Sequence, residues 1–296
     1  MSINPVLKRL GFSNTDRLVI IHADDIGMCQ ASIAAFAQLW EYGTVSSGAV
    51  MMPCSWAPAA AEFCRTHPGV DMGVHATLTS EWNTYRWGPL STRDPDSGLL
   101  DEDGFFHRST QETQANANPE AVLIELQTQI ARALAWSIDV THLDTHMGAV
   151  AHPKFFPAYY QAAVQHNIAV MIPRGEAAVY QEMRLDAETA AGFAALTSQL
   201  EEQGLPLVDA ILSLPLDKPE GQIDLAKKLL GDLPTGLTHF IIHPCIDSPE
   251  LRAITPDWKS RVANYETFMS REIKEFLKNS DIQVTGYRAL RNLIRS

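Results

Sequence analysis

The chain has 296 residues, of which 46% are hydrophobic and 20% are charged, and its formal net charge at pH 7 is −12. This balance argues against a protein that binds nucleic acid, because such binding relies on lysine and arginine clustered on one face. The length allows a sizeable core, and it suits either one large domain or two ordinary ones.

Short apolar runs predict eight strands. Most of them show little alternation, which is typical of strands buried on both faces of a parallel sheet. In chain order the predicted strands cover residues 17–22, 45–52, 70–78, 140–144, 168–172, 207–214, 238–243 and 282–287.

Helical patterns fill the intervals between these strands. The clearest begins at Pro119, where Asn118 can cap the first turn and apolar residues at helical spacing continue to about Trp136. The other predicted helices cover residues 28–42, 57–66, 153–166, 187–203, 223–230 and 256–279.

This alternation predicts an α/β fold with a parallel sheet. Seven or eight repeats favour a closed or nearly closed barrel of the TIM type, and an open doubly wound sheet is the alternative. No repeat or linker divides the chain, so we expect a single domain over residues 1–296. Residues 79–117 are rich in Gly, Pro, Asp and Ser, and we expect this long irregular segment to be a lid or an insertion.

Targeting signals are missing from the sequence. The N-terminal stretch MSINPVLKRLGF lacks the apolar core of a secretory signal, and no run of about 18 uncharged apolar residues could span a membrane. We therefore expect a cytoplasmic protein that does not bind membranes. The cysteines form no C-x-x-C pair, which predicts reduced thiols rather than disulfides or a zinc knuckle.

Acidic and histidine side chains lie at or near the ends of four predicted strands. Such ends meet at one side of a parallel fold, where active sites are assembled. The residues are His22, Asp24 and Asp25 on the first strand, His75 on the third, His142, Asp144 and His146 on the fourth, and His243 on the seventh.

The stretch THLDTH indicates a metal site. Positions 142, 144 and 146 share a parity, so an extended chain points their side chains to one face, and burying them without a cation would be costly. One carboxylate with two imidazoles is a common ligand set that leaves positions for water and substrate. We assign Asp25, His75 and His146 as ligands of one divalent ion, and Asp24 as the base. Zinc or magnesium is expected, and manganese, cobalt or nickel would also fit.

Other interpretations of these residues remain open. Asp24 or Asp25 could cap the next helix, and His75 could be a core histidine. We interpret His142 and Asp144 as groups that orient the ligands or contact the substrate.

The motifs together resemble the YdjC-like carbohydrate deacetylases, a family that includes chitooligosaccharide deacetylases. The matching stretches are HADDIG, MGVHATLT, THLDTHMGAVAHP, IIHP and SREIKEFLKNSDIQVTGYRAL. Their order and spacing cover nearly the whole chain, which is more specific than any single motif. The resemblance implies a distorted (β/α) barrel and a divalent metal site that removes acetyl groups from N-acetylated sugars.

The resemblance also implies roles for single residues. It maps the base to Asp24, the ligands to Asp25, His75 and His146, and the histidine before a proline to His243, which it implies as general acid.

Two positions depart from the family pattern. After His146 the chain continues Met-Gly-Ala-Val, where family members commonly carry further histidines, and His22 replaces the asparagine usual before Ala-Asp-Asp. The first departure, around Gly148, predicts a changed or enlarged pocket, which affects the identity of the sugar more than the chemistry.

The predicted function is therefore metal-assisted hydrolysis of the acetamide of a small N-acetylated sugar. A hydrolase of another amide, imide or ester, or a sugar-binding protein on the same scaffold, is the alternative. Arg174 is a candidate for binding a sugar hydroxyl or phosphate, with a plain salt bridge as the alternative. Exposed apolar edges would support a homodimer.

Overall fold

The computed structural model describes residues 3–182 and 185–296. All eight predicted strands are present, and the first runs past its predicted end, so that Asp24 and Asp25 belong to the strand itself. The strands are β1 Arg17–Ile26, β2 Ser47–Val50, β3 Met72–Ala76, β4 Val140–Thr145, β5 Ala169–Val170, β6 Ala210–Ser213, β7 Gly236–Ile242 and β8 Ile282–Thr285.

Helices connect the strands and cover the outside of the sheet. They are α1 Pro5–Arg9, α2 Gln30–Tyr42, α3 Ala57–Thr66, α4 Thr110–Asn116, α5 Pro119–Ala135, α6 Phe156–Gln165, α7 Ala177–Glu182, α8 Ala187–Glu202, α9 Gln222–Gly231, α10 Pro249–Ile254, α11 Trp258–Met269, α12 Arg271–Asn279 and α13 Tyr287–Arg295. The single helix predicted over 256–279 is wrong, because Ser270 is extended and its side chain caps a new helix, α12. Among the described residues no helix combines the length and apolarity needed to cross a bilayer.

The strands form one parallel sheet in the order β5-β4-β3-β2-β1-β7-β6, with β8 beside β1. Backbone hydrogen bonds join the segment after β5 to the segment before β6: Arg174 N–H donates to Val208 O at 2.8 Å, and Val208 N–H donates to Ile172 O at 3.1 Å. These bonds bring the two ends of the strand order together. The sheet thus curls into a distorted barrel, which confirms the predicted fold class.

β8 is a short strand that pairs with the first residues of β1. It pairs with residues 17–20 of β1, whereas β2 pairs with residues 22–26 of the same strand. Below the site, α1 and α13 close the barrel floor with an apolar cluster that includes Leu7, Leu18, Ile20, Leu237 and Leu290. The remaining core packs between the sheet and the surrounding helices.

The segment predicted as irregular, residues 79–117, is partly helical and well packed. It contains α4, whose capping box of Ser109 and Glu112 satisfies the first N–H groups of the helix. Trp87 and Phe106 are buried, and the Tyr85 hydroxyl donates to Met28 O at 2.6 Å, next to the end of β1. The segment therefore packs against the end of β1, and its role as a lid or an insertion stays a prediction.

Candidate metal centre and active site

The end of β1 separates two neighbouring carboxylates. The pairing of β1 with β2 shifts register between Ala23 and Ile26, and Asp25 adopts a left-handed φ of 59°. Non-glycine residues rarely adopt this conformation, although aspartate tolerates it better than most, and such strain clusters at functional sites. Asp24 consequently hydrogen-bonds His22, while Asp25 turns toward α11 and the end of β4.

Asp25, His75 and His146 converge at this end of the barrel. Asp25 Oδ1 lies 3.1 Å from His146 Nδ1 and 3.4 Å from His75 Nε2. Ligand atoms bound to one ion at about 2.1 Å stand roughly 3.0 to 3.4 Å apart in octahedral or tetrahedral geometry. All three residues are buried, and their donor atoms lie within 4.8 Å of one another. The residues predicted as ligands therefore fit a divalent cation.

Arg261 on α11 holds the second oxygen of Asp25, and the sequence had not indicated it. Its Nη1 donates to Asp25 Oδ2 at 2.6 Å and its Nε donates to Asp257 Oδ1 at 2.7 Å. Burial would raise the pKa of Asp25, but the Arg261 guanidinium and the hydrogen bond with His146 outweigh burial and hold that pKa well below its usual range. Asp25 is thus ionised, with Oδ1 left for the cation.

Glu81 is a second residue that the sequence did not indicate. Its Oε2 lies 3.2 Å from His146 Nε2, on the side of the ring opposite Asp25. Burial would lower the pKa of His146, but the carboxylates of Glu81 and Asp25 together raise it to about 9. His146 lies just after β4, at the start of a turn in which Met147 and Gly148 have φ of 55° and 67°. Without a cation, this imidazole holds a proton between two acids.

Asp144 orients His75. The two residues are register partners on β4 and β3, and His75 Nδ1 lies 2.8 Å from Asp144 Oδ1. This contact fixes the ring so that Nε2 points to Asp25. Burial would lower the pKa of His75, but the negative charges of Asp144 and Asp24 raise it well above its usual value.

Asp24 stands beside the ligand cluster and faces two histidines. Its Oδ2 lies 3.8 Å from both His75 Nε2 and His243 Nε2. Burial would raise the pKa of Asp24, but His75 and the hydrogen bond from His22 outweigh burial and lower it well below the usual value. Burial lowers the pKa of His243, although Asp25 and Asp24 oppose that effect. Asp24 is therefore ionised, and His243 is mainly neutral at pH 7.

Beneath these residues a series of hydrogen bonds crosses the barrel interior. His22 Nδ1 contacts Asp24 Oδ1 at 2.7 Å, and His22 Nε2 contacts His142 Nε2 at 2.8 Å. His142 Nδ1 lies 2.9 Å from Thr141 Oγ1, which donates to Asp71 Oδ1 at 2.5 Å. His142 thus reaches the base through His22.

Close packing holds this histidine layer in place. The His142 ring stacks on Tyr287 at 3.9 Å between centroids, and a Cβ on Gly73 would lie 2.4 Å from the ring, so only glycine fits there. His239, to which the sequence analysis gave no role, lies in the same layer and bonds the Tyr287 hydroxyl through Nδ1 at 2.9 Å.

Arg174 is engaged in ion pairs. Its Nε lies 2.6 Å from Glu201 Oε1, and its Nη1 lies 3.1 Å from Asp209 Oδ1. These contacts match the salt-bridging alternative that the sequence left open, and none of them is with the ligand cluster.

The chain is similar to proteins of one family over most of its length. The model of the YdjC-like protein family matches residues 18–279. A carbohydrate deacetylase of Thermus thermophilus is 31% identical over 292 residues, which are 98% of this chain and 99% of the relative. A carbohydrate deacetylase of Thermoanaerobacter pseudethanolicus is 24% identical over 275 residues, which are 93% of this chain and 100% of the relative.

A solved structure supports the fold independently. A protein from Enterococcus faecalis V583 superimposes with a TM-score of 0.74 at 20% identity, and the match covers 93% of this chain and 99% of that one. At this identity the likeness establishes the architecture alone.

Proposed function

Since this chain belongs to the YdjC-like protein family, we propose that it is a metal-dependent carbohydrate deacetylase, a hydrolase that removes the acetyl group from an N-acetylated sugar. Two relatives that match over nearly their whole length carry the name carbohydrate deacetylase. The observation that carries the proposal is the convergence of Asp25, His75 and His146 on one point, with the ionised Asp24 beside them.

The ligand set supports one divalent ion. Asp25 Oδ1, His75 Nε2 and His146 Nδ1 would hold it, while Arg261 and Asp144 fix the orientation of two of these groups. When bound, the ion would lower the pKa of a water molecule and polarise the carbonyl of the acetamide. Zinc or magnesium is our first choice, with manganese, cobalt and nickel as further candidates.

Asp24 is the proposed base. Its lowered pKa keeps it ionised at neutral pH, and a weak base is sufficient where the attacking water is already acidified. The water adds to the carbonyl carbon, Asp24 accepts its proton, and the carbon–nitrogen bond then breaks to give acetate and the sugar amine.

His243 is the proposed acid. The departing nitrogen needs a proton, because an amine anion is a very poor leaving group. His243 is mainly neutral beforehand, so it must first receive the proton, and Asp24 lies 3.8 Å away. Asn264 accepts the backbone N–H of His243 at 2.8 Å and so holds the main chain at this position.

Acetate release tests the proposal directly. The chelated protein would be incubated with N-acetylglucosamine and its β-1,4 oligomers, with each of the five ions added back in turn. We expect metal-dependent acetate release that Asp24→Asn abolishes and that Asp224→Asn, a change at an exposed position on α9, leaves intact. Acetate release from none of these sugars with any ion would contradict the proposal.

The cytoplasmic location and the homodimer stay predictions. Cell fractionation and light scattering test them.

A further inference from the structure

A cavity of about 690 Å³ adjoins the candidate site on the side of β4 and β7. Thr145 and Met147, which precede and follow His146 in the chain, both line it. Ile241 of β7 also lines it and shares the parity of His239 on the same strand, so its side chain points to the same interior face. A molecule bound at the metal cluster would therefore have this cavity beside it.

The cavity has two chemically different walls. Thr110, Gln111 and Gln114 of α4 supply one wall with hydrogen-bonding groups. A second group of lining residues, here called the apolar wall, includes Phe156, Tyr159, Tyr180, Phe193, Ile211 and Ile241. The total volume is within the range of sites that bind organic ligands.

The hydroxyl groups of the two tyrosines in the apolar wall are already hydrogen-bonded to the protein backbone, so these residues offer the cavity the carbon atoms of their rings. The Tyr159 hydroxyl donates to the Leu143 carbonyl at 2.9 Å, and the Tyr180 hydroxyl donates to the Pro173 carbonyl at 2.8 Å. Phe193 packs against both Phe156 and Tyr180, with ring centroids 4.8 Å and 5.9 Å apart. Sugar hydroxyls placed against this wall would lose hydrogen bonds to water and gain none, which is unfavourable.

We propose that the apolar wall binds an alkyl or aryl group attached to the sugar substrate, while the wall formed by α4 binds the sugar itself. The group is either a longer acyl chain on the amide nitrogen or an aglycone on the glycosidic oxygen. This inference rests on the proposed deacetylase function and specifies the class of its substrate.

Two substrate series test the proposal with the metal-loaded full chain. One series varies the acyl group of N-acylglucosamine from acetyl to butanoyl and hexanoyl. The other varies the aglycone of N-acetylglucosamine from methyl to butyl and hexyl. Fluorescamine detects the released amine in both series. We expect kcat/KM to rise in one series by about fourfold for each methylene that is buried, until the wall is covered.

Variants of the apolar wall test whether this wall causes the rise of kcat/KM with chain length. Ile211 and Ile241 are half-buried, and threonine preserves β-branching in their strands. Ile211→Thr and Ile241→Thr should flatten the series, whereas Ile124→Thr, at a position 54% exposed on α5, should not change it. If a wall variant folds poorly, the two substrate series with the wild-type protein still test whether an apolar group is bound.

The failure of this inference differs from failure of the proposed function. Amine release that is the same or falls along both series would overturn the apolar site and leave the deacetylase in place. If no substrate is hydrolysed, calorimetry with methyl and hexyl glycosides of N-acetylglucosamine still applies. Tighter binding of the hexyl compound, lost in Ile241→Thr, supports the site, and equal binding refutes it.

Discussion

Replacing Glu81 by glutamine should change how metal binding depends on pH. Without metal, the pKa of His146 is raised to about 9, so at pH 7 only about 1% of this side chain is in the neutral form that a cation requires. Deprotonation of His146 by itself should thus hold the apparent metal affinity at pH 7 about 100-fold below its alkaline limit and make it rise about tenfold for each pH unit. His75, whose pKa is also raised, adds a second proton to be displaced. Titration calorimetry with Mn²⁺, in buffers of different ionisation enthalpy, counts the protons released.

Glu81→Gln removes the carboxylate that contributes most to raising the pKa of His146. We expect a shallower pH profile, fewer released protons and tighter binding at pH 7, with Glu102→Gln in an exposed loop as the matched control. In the metal-free protein the raised pKa stabilises the fold below about pH 6.5, and that stability is lost as pH rises through about 9. A wild-type affinity that is constant from pH 6.5 to 8.5 would refute this reasoning, and loss of metal in Glu81→Gln would make Glu81 a ligand.

Further substitutions test the other roles. Asp24→Asn should lower kcat by about 10² to 10⁴ with normal metal content by plasma mass spectrometry, while Asp25→Asn should lose the metal. Equal metal loss in both would mean that the roles are reversed. His243→Gln should lower kcat and remove the acidic limb of the kcat–pH profile, because His243 must be neutral to receive the proton and its pKa is lowered, and an unchanged profile excludes it as the acid. Arg261→Met should lower the free energy of unfolding in urea by about 3 to 5 kcal/mol, because it leaves the buried carboxylate of Asp25 unpaired. The loss should be smaller with metal present, because the cation also pairs with Asp25. A loss below about 1 kcal/mol in the metal-free protein would contradict that account.

The sequence alone was sufficient to predict that the side chains at the strand ends would lie close together. Asp24, Asp25 and His75 lie on apolar runs that were readable as strands, and parallel strands bring such ends to one side of a fold. The parity argument also held for His142 and Asp144, which both face the interior from β4. His146 lies one residue beyond that strand, so the turn rather than the pleat directs its side chain.

Residues outside the strands were not predictable in the same way. Arg261 meets Asp25 across 236 positions, and nothing in the pattern of α11 marks which of its charges is buried. Glu81 belongs to the segment that composition predicted as irregular, where side-chain direction has no period to follow. Local signals were present for three other residues. Ser109 and Glu112 have the spacing of a capping box, and His239 shares the parity of His243.

The hydrogen bonds that run from Asp24 through the barrel to Asp71 have a fixed polarity. Thr141 has one hydroxyl proton and donates it to Asp71, so its oxygen must receive the Nδ1 proton of His142. The other nitrogen of that neutral ring is then an acceptor, which His22 fills with its own Nε2 proton. On its other side His22 Nδ1 lies 2.7 Å from Oδ1 of the ionised Asp24. The direction of the hydrogen bonds that reach Asp24 is therefore set by Thr141 and Asp71 at the far end of the series.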